Sequence, residues 1–227
     1  MNTPNAPIQP PGWTEDGLSA FYDLSIRNVY TSFFRLPEKY RFLSVLHETF
    51  EKIIDHRPYF LPPVPYSFLV MSHSSFLGSA LLALSGFTSE SYSLARSTLE
   101  SSLYCFFAFD DEDKQEIWLR RDENETQQRL CRNTFTIGAT FNSLQDRNSE
   151  LKSKAKLLYD EAIKHGAHPN IMAFAQRVIS RNRVDESFNY LDVNTESHEL
   201  CLKRCTQIGR TSLHIFKLLG PDIFDEL

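Results

Sequence analysis

Three side chains that can do acid–base or anion-binding chemistry flank a predicted turn, and two of them stand at nearly equal distances from it. His73 lies 14 residues before Phe87, and Glu100 lies 13 residues after it. Positions equidistant from the turn of an antiparallel helical hairpin lie side by side, so we expect His73 to meet Glu100. Arg96 precedes Glu100 by one helical turn on the second helix. The sequence therefore predicts a His73–Glu100–Arg96 cluster between two helices.

Two interpretations of this cluster are open at the level of sequence. In a functional site, Glu100 would hold His73 in one tautomer and Arg96 would bind an anion such as a phosphate. In a structural network, the same groups would pair only because buried charges need partners. The network would then fix how the two helices of the hairpin align.

The same stretch carries a resemblance to known proteins. The segment HSSFLGSALLALSGFTSESYSLARSTLE, residues 73–100, resembles a pattern of uncharacterised bacterial helical proteins. In that pattern a His begins one helix, a Gly turn follows, and the next helix carries Leu-x-Arg-x-x-x-Glu. Those proteins are similar to the HEPN superfamily of helical bundles. The resemblance covers about residues 66–125 and implies an RNA-related role, often RNA cleavage, in a bacterial stress or antiviral defence system.

HEPN ribonucleases separate a catalytic Arg from a His by four to six residues. Here Arg210 and His214 are separated by three residues, and Arg41 and His47 by five. In those ribonucleases the residue directly after the catalytic Arg is usually polar. Here only Thr211, after Arg210, could take that role. Arg210 and His214 are therefore weaker catalytic candidates, and the alternative is a surface pair one helical turn apart.

His198, Cys201 and Cys205 fall on one face of the last predicted helix, with spacings of three and four residues. These residue types bind zinc, but buried cysteines also serve as small apolar core residues. The four cysteines have no disulfide-framework spacing. We expect neither a bound metal nor a cofactor, with this trio as the weak metal candidate.

A second group of histidines stands at a predicted helix end. His165, His168 and Asn170 belong to the motif HGAHPN. A His near a helix C-terminus is favoured by the helix dipole, so capping is one interpretation. The other is that these residues close one end of a pocket over His73.

Composition excludes several classes of protein. No Walker A loop, GxGxxG, HExxH or GxSxG motif occurs, and the eight glycines form no phosphate-binding loop. The net charge is −5, and none of the segments 1–110, 111–170 and 171–227 has a basic excess, which disfavours non-specific DNA binding. The partners that remain are RNA, another protein and a second copy of this chain. The polar, Pro-rich N-terminus does not read as a signal peptide, so a reducing cytoplasm is expected.

The periodicity of apolar residues predicts an all-α bundle built around an antiparallel hairpin of helices at about 65–86 and 89–109. Residues 1–12 are expected to be a disordered lead-in and residues 13–227 a single helical domain. The segment near 173–193 reads as a short helix and loop or as a small β-hairpin. No Asp, Glu, Lys or Arg occurs between Arg57 and Glu90, and we interpret this stretch as a buried central helix rather than a membrane span.

Three functions fit these features. The first is a HEPN-like helical protein of a stress or defence system that contacts RNA, with nuclease activity in doubt. The second is a non-enzymatic helical module that dimerises or binds a protein partner. The third is a metal-dependent hydrolase that uses the histidines. A basic groove leading to Arg96 or Arg210 would favour RNA, and an exposed apolar patch would favour a partner.

Overall fold

The computed structural model describes residues 9–56, 61–167, 178–182, 185–191 and 195–220. In these ranges the chain is an all-α bundle, as predicted, with one small antiparallel pair of strands. The elements are α1 (Gly17–Arg35), α2 (Pro37–His56), α3 (Pro63–Ser85), α4 (Thr88–Ala108), α5 (Glu112–Leu119), α6 (Glu125–Thr134), α7 (Ile137–Arg147), α8 (Ser149–Ala162), a π-helical turn (Ile163–Ala167), β1 (Val178–Asn182), β2 (Asp185–Phe188) and α9 (Thr195–Lys217).

The predicted hairpin is formed by α3 and α4, and α9 packs across both helices. Prolines open α3, where the missing N–H groups cost nothing. Gly86 ends it in the left-handed conformation, at φ 93°. Here the N–H groups of Gly86 and Phe87 donate back to the carbonyls of Ala83 and Leu82, which is the Schellman arrangement. The core of the hairpin contains apolar side chains that are almost completely buried, such as Phe68, Phe76, Leu99 and Leu103.

Buried serines set how α3 aligns with α4. The Ser79 hydroxyl donates to the Ser91 carbonyl at 3.1 Å, and the Ser91 hydroxyl donates to the Ser79 carbonyl at 2.8 Å. Further along, the Ser72 hydroxyl donates to the Thr98 carbonyl at 2.9 Å. Small side chains let the two backbones approach, and each buried hydroxyl finds a partner.

Helix α1 buries its polar side and exposes its apolar side. Its buried residues are Ser19, Ser25 and Ser32. The Ser32 hydroxyl donates to the Leu84 carbonyl at 2.9 Å, and the Asn28 amide donates to the Ser85 carbonyl at 3.1 Å. The last carbonyls of a helix have no partner within that helix. The polar side of α1 thus caps the C-terminal end of α3.

Side chains that cap helices fix the boundaries of the shorter ones. Asp111 caps α5, as the acidic run at 110–113 predicts, and accepts from the N–H of Lys114 at 2.9 Å. The stretch from Glu125 to Lys164 is polar and contains no Pro, which predicts one or two long helices with a break near Gly138. The structure has three helices here, α6, α7 and α8. The breaks fall at Thr136 and Asn148, each of which caps the following helix.

Two further predictions concern the ends of the chain and the region after α8. Residues 1–8 lie outside the described ranges, but Gln9 and Trp13 hydrogen-bond the Asp23 carboxylate of α1, so the lead-in is structured from residue 9 onward. In the described part of the segment near 173–193, β1 pairs antiparallel with β2, as the β-hairpin interpretation predicts; residues 173–177, 183–184 and 192–193 lie outside the described residues. Helix α3 is long and apolar enough to cross a membrane, and half of its most apolar window is buried in the fold.

Candidate functional site

Arg96 and Glu100 form an ion pair on α4, as their spacing predicts. The Arg96 Nε atom lies 3.4 Å from Glu100 Oε1, and each side chain is about a quarter exposed or less, at 22% and 25%. From α8, the Tyr159 hydroxyl donates to Glu100 Oε1 at 3.0 Å. Burial and the Glu100 carboxylate raise the pKa of Tyr159 to about 12, so the phenol stays protonated as a donor.

His73 lies on the opposite side of α3 from this pair and faces α2. Its Nε2 atom is 2.9 Å from Nδ1 of His47. Its ring stacks on Phe50, with centroids 5.1 Å apart and planes 9° from parallel. The other ring nitrogen of His47 is 3.4 Å from Glu51 Oε2. Burial and the neighbouring His47 lower the pKa of His73, so the two rings share one proton between their facing nitrogens.

The predicted contact between His73 and Glu100 is therefore wrong. The serine pairs show that residues equidistant from position 85 lie side by side, rather than residues equidistant from Phe87. Moreover, α3 contacts α2, α4 and α9, so most of its faces are buried and periodicity cannot tell which one a residue occupies. The structure brings Arg96 and Glu100 together and places His73 against α2.

His47 contacts His73, although it is not among the site residues predicted from the sequence. It is half-buried and partnered on both ring nitrogens. Arg41, which is separated from His47 by five intervening residues, is exposed on α2. In the sequence, the spacing between Arg41 and His47 was the signal that pointed to His47. The apolar residues between them argued against a site there. Two of these residues, Leu43 and Leu46, are apolar because they belong to the core.

Cys201 and Cys205 are buried on α9 and face the α3–α4 hairpin. The Cys205 Sγ atom is 3.2 Å from the hydroxyl oxygens of both Ser79 and Ser91. A hydrogen bond with Cys201 lowers the pKa of the Cys205 thiol, against the opposing effect of burial. These contacts place the thiols in the packing between α9 and the hairpin.

His198 does not complete a metal site with these cysteines. Its Nε2 atom lies 2.8 Å from the Ala83 carbonyl oxygen, so this nitrogen carries a hydrogen and caps α3. Among the residues that the structure describes, no three His, Cys, Asp or Glu side chains form a group that could hold a metal ion. The weak zinc candidate is thus replaced by a capping role for His198.

The histidine motif after α8 packs on the start of α4. The His165 ring stacks on Tyr92 at 5.2 Å. Gly166 has φ 154°, and a Cβ there would lie 2.4 Å from the Ser89 carbonyl oxygen, so only glycine fits. His165 therefore does not cover His73, whose contacts are with α2. His168 and Asn170 lie outside the described residues.

Arg210 and His214 are exposed on the last turns of α9, whereas Thr211 between them is fully buried. Thr211 cannot serve as an accessible polar residue beside Arg210. His214 instead stands near Arg210 and near two lysines, Lys154 and Lys217, that were not predicted as site residues. Burial, Arg210, Lys154 of α8 and Lys217 all lower the pKa of His214. Lys217 could have been predicted from the sequence, because it stands three residues after His214 on the same helix.

The candidate residues thus fall into three separate polar clusters: the Arg96–Glu100 pair with Tyr159, the His47–His73 pair with Glu51, and the cations around His214. The Arg96–Glu100 pair forms as predicted, whereas His73 does not join it. A search of protein-family models, curated proteins and solved structures finds no match to this chain.

Proposed function

We propose that this chain is a helical interaction module that pairs with a second copy through the outer side of α1. The observation that carries the proposal is the inverted burial of this helix. Its serines face inward, while five large apolar side chains, four residues apart, are 42–83% exposed. We call this set the α1 ladder; it consists of Leu18, Tyr22, Ile26, Tyr30 and Phe34.

The α1 ladder consists of large side chains that are strongly exposed. Each of its five residues is 42–83% exposed, and a standard interface buries about 800 Å² per partner. Contiguous apolar patches above a few hundred Å² are rare on monomers and mark interaction sites. Aromatic residues are also enriched at the centre of such interfaces.

The order of residues in the ladder favours a second copy as the partner. The ladder is symmetric about Ile26, with Tyr22 and Tyr30 on either side and Leu18 and Phe34 at its ends. Residues four apart are rotated by about 40° around a helix, so Tyr22, Ile26 and Tyr30 share one face, and a two-fold axis through Ile26 would place Tyr22 against Tyr30 of the other copy. Such an interface is isologous, because the same patch serves both subunits. Rows of residues four apart pack with helix axes at about −50°.

The surroundings of the ladder also suit self-association. Arg27, beside Ile26, forms an ion pair with Asp23, with Nε and Oδ2 2.6 Å apart, so the middle of the face adds no net charge that would repel a copy. At one end, Phe33, Phe34 and Tyr40 contribute to a cavity of about 450 Å³.

Sedimentation of the full chain tests the proposal. We expect the wild type to be a dimer at about 100 μM and Ile26→Lys to be a monomer, because a lysine pair on the axis would be buried and repelled. Leu157→Lys is the matched control, because Leu157 is 57% exposed on α8. A wild type that stays monomeric, or an Ile26→Lys variant that still dimerises, contradicts the proposal.

The second candidate is the HEPN-like role, in which a protein of a stress or defence system contacts RNA. One observation favours it. Arg41 and His47 have the spacing of the ribonuclease motif, and His47 is hydrogen-bonded to His73 and adjacent to Glu51. An imidazole held in this way could move a proton to or from an RNA hydroxyl.

Cleavage of single-stranded RNA by purified protein tests this second candidate. We expect activity that is lost in both Arg41→Ala and His47→Ala. His214→Ala, whose imidazole lies on α9, should retain it. No cleavage by the wild type, or equal cleavage by all variants, contradicts the assignment.

A further inference from the structure

A cavity of about 580 Å³ lies where the first turn of α8 meets the last turn of α9. Leu151 and Leu218 form an apolar wall. Lys154, His214 and Lys217 bring three nitrogen-bearing side chains to the same cavity, and Glu150 adds one carboxylate. Ligand cavities of several hundred Å³ commonly combine an apolar wall with a few convergent polar groups.

The electrostatic character of this cavity is cationic. The charged neighbours that act on His214 are Arg210, Lys154 and Lys217, and together with burial they lower its pKa. Arg210, His214 and Lys217 stand four and three residues apart on one face of α9. The start of α8 adds positive potential, and the end of α9 adds negative potential. Among the described residues that line the cavity, Lys154 and Lys217 are permanent cations and Glu150 is the one carboxylate.

We propose that this cavity binds the phosphate group of an organic phosphate, with Lys154 and Lys217 as charged donors and Arg210 at the rim. A phosphate carries up to two negative charges and several acceptor oxygens, which suit convergent lysine and arginine donors. The apolar wall would contact the organic part of the ligand. The site is built from α8 and α9 and does not depend on the α1 ladder.

Binding of phosphate would also change the protonation of His214. Without an anion, Arg210, Lys154 and Lys217 disfavour the imidazolium form, and Glu150 is the facing carboxylate. A bound anion opposes these cations, so the pKa of His214 rises. Near pH 6.5, the ordinary value for histidine, ligand binding should therefore be accompanied by proton uptake.

Titration calorimetry of the full chain tests the site with three probes: inorganic phosphate, a nucleoside monophosphate and a short single-stranded RNA. We expect the nucleoside monophosphate to bind more tightly than inorganic phosphate, because only the former reaches the apolar wall. Lys154→Gln combined with Lys217→Gln should weaken binding about tenfold or more. The control is Lys203→Gln, which changes an exposed lysine elsewhere on α9.

The outcomes separate the two sources of phosphate. Tight binding of the mononucleotide supports a small organic phosphate, whereas tight RNA binding with a weak mononucleotide assigns the phosphate to an RNA strand. In His214→Gln, which leaves the lysines in place, binding should persist while proton uptake disappears; uptake is measured as the dependence of the heat on buffer ionisation. Failure of all three probes to bind, or an equal loss in Lys203→Gln, overturns the proposal. Heat that does not depend on the buffer overturns the role of His214.

Discussion

The α3–α4 hairpin and α1 use serine in opposite ways. In the hairpin, Ser79 and Ser91 are buried between two helices whose large apolar side chains are also buried. In α1, Ser32 and its neighbours are buried while the large apolar side chains face outward. In both places a buried serine satisfies a backbone carbonyl of α3 or α4, as Ser79, Ser91 and Ser32 do. The difference is that, among the described residues, the large apolar side chains of α1 remain exposed.

This contrast shows that an apolar stripe does not by itself decide which side of a helix faces the core. The carbonyls of Leu84 and Ser85 at the end of α3 need donors, and an unsatisfied buried carbonyl costs about 1–3 kcal/mol. Ser32 and Asn28 supply those donors. Turning the apolar side of α1 inward would remove them. The apolar side then becomes available for association, which is the basis of the proposed dimer.

A matched pair of leucine truncations should give the largest difference between the two regions. Leu99 is fully buried in the hairpin, whereas Leu18 is 60% exposed on α1. We expect Leu99→Ala to lower the free energy of unfolding by about 2–5 kcal/mol because it leaves a cavity. Leu18→Ala should change it by less than about 0.5 kcal/mol in the monomer. Urea unfolding at low protein concentration measures both, and equal losses would contradict the inverted burial of α1.

The contact between α9 and the hairpin can be tested by adding one methyl group. A Cβ at Gly209 would lie 2.7 Å from a ring carbon of Phe76 and 3.2 Å from Leu46. Both neighbours are buried, so we expect Gly209→Ala to cost about 1–3 kcal/mol. At Gly138, by contrast, a Cβ meets nothing within 4 Å, and Gly138→Ala should be neutral or stabilising. Thermal unfolding of the two variants shows whether the loss at Gly209 comes from its tight contact or from replacing any helical glycine with alanine.

Removing the caps that α1 supplies should have a smaller effect. Ser32→Ala leaves the Leu84 carbonyl without its donor, and we expect a loss of about 1 kcal/mol. Thr31→Ala is the control, because the Thr31 hydroxyl is exposed and bonds the Arg27 carbonyl within its own helix. If Ser32→Ala is as stable as Thr31→Ala, capping does not explain the orientation of α1.

The same contrast separates what the sequence predicts from what it does not. The ends of α3 follow from local signals, namely the prolines at 63 and 65 and the turn at Gly86. The orientation of α1 does not, because the carbonyls that its side chains cap lie 52 and 57 residues away. A local stripe of apolar residues indicates a helix, but it carries no information about such distant partners.

The candidate site divides in a similar way. The Arg96–Glu100 pair was predicted correctly because both residues lie on one helix, where spacing alone fixes their distance. The position of His73 was not, because it depends on how five helices, α1, α2, α4, α5 and α9, pack around α3. The cations around His214 were missed because Lys154 is brought from α8 by tertiary packing. Contacts within a helix are thus readable from sequence, whereas contacts between helices depend on alignment and on which faces are buried.

The smallest effect that we expect is a dependence of stability on pH that involves the hairpin and not α1. Burial and His47 lower the pKa of His73 below 6.5, and burial lowers those of His165 and His214 as well. Below pH 6.5 the unfolded chain therefore binds more protons than the folded chain. Stability should be constant above this pH and should fall as the pH drops through the range between the ordinary and the lowered values.

Urea unfolding between about pH 8 and pH 5 measures this slope. The contribution of His73 should disappear in His73→Gln, giving a shallower fall, since glutamine does not titrate. The α1 ladder contains no histidine, so the dissociation constant of the dimer should stay nearly constant over the same range. A steeper fall in His73→Gln would show that protonation of His73 stabilises the hairpin. A dimer that dissociates as the pH drops would show that α1 depends on the protonation of the hairpin, which the separate burial of the two regions argues against.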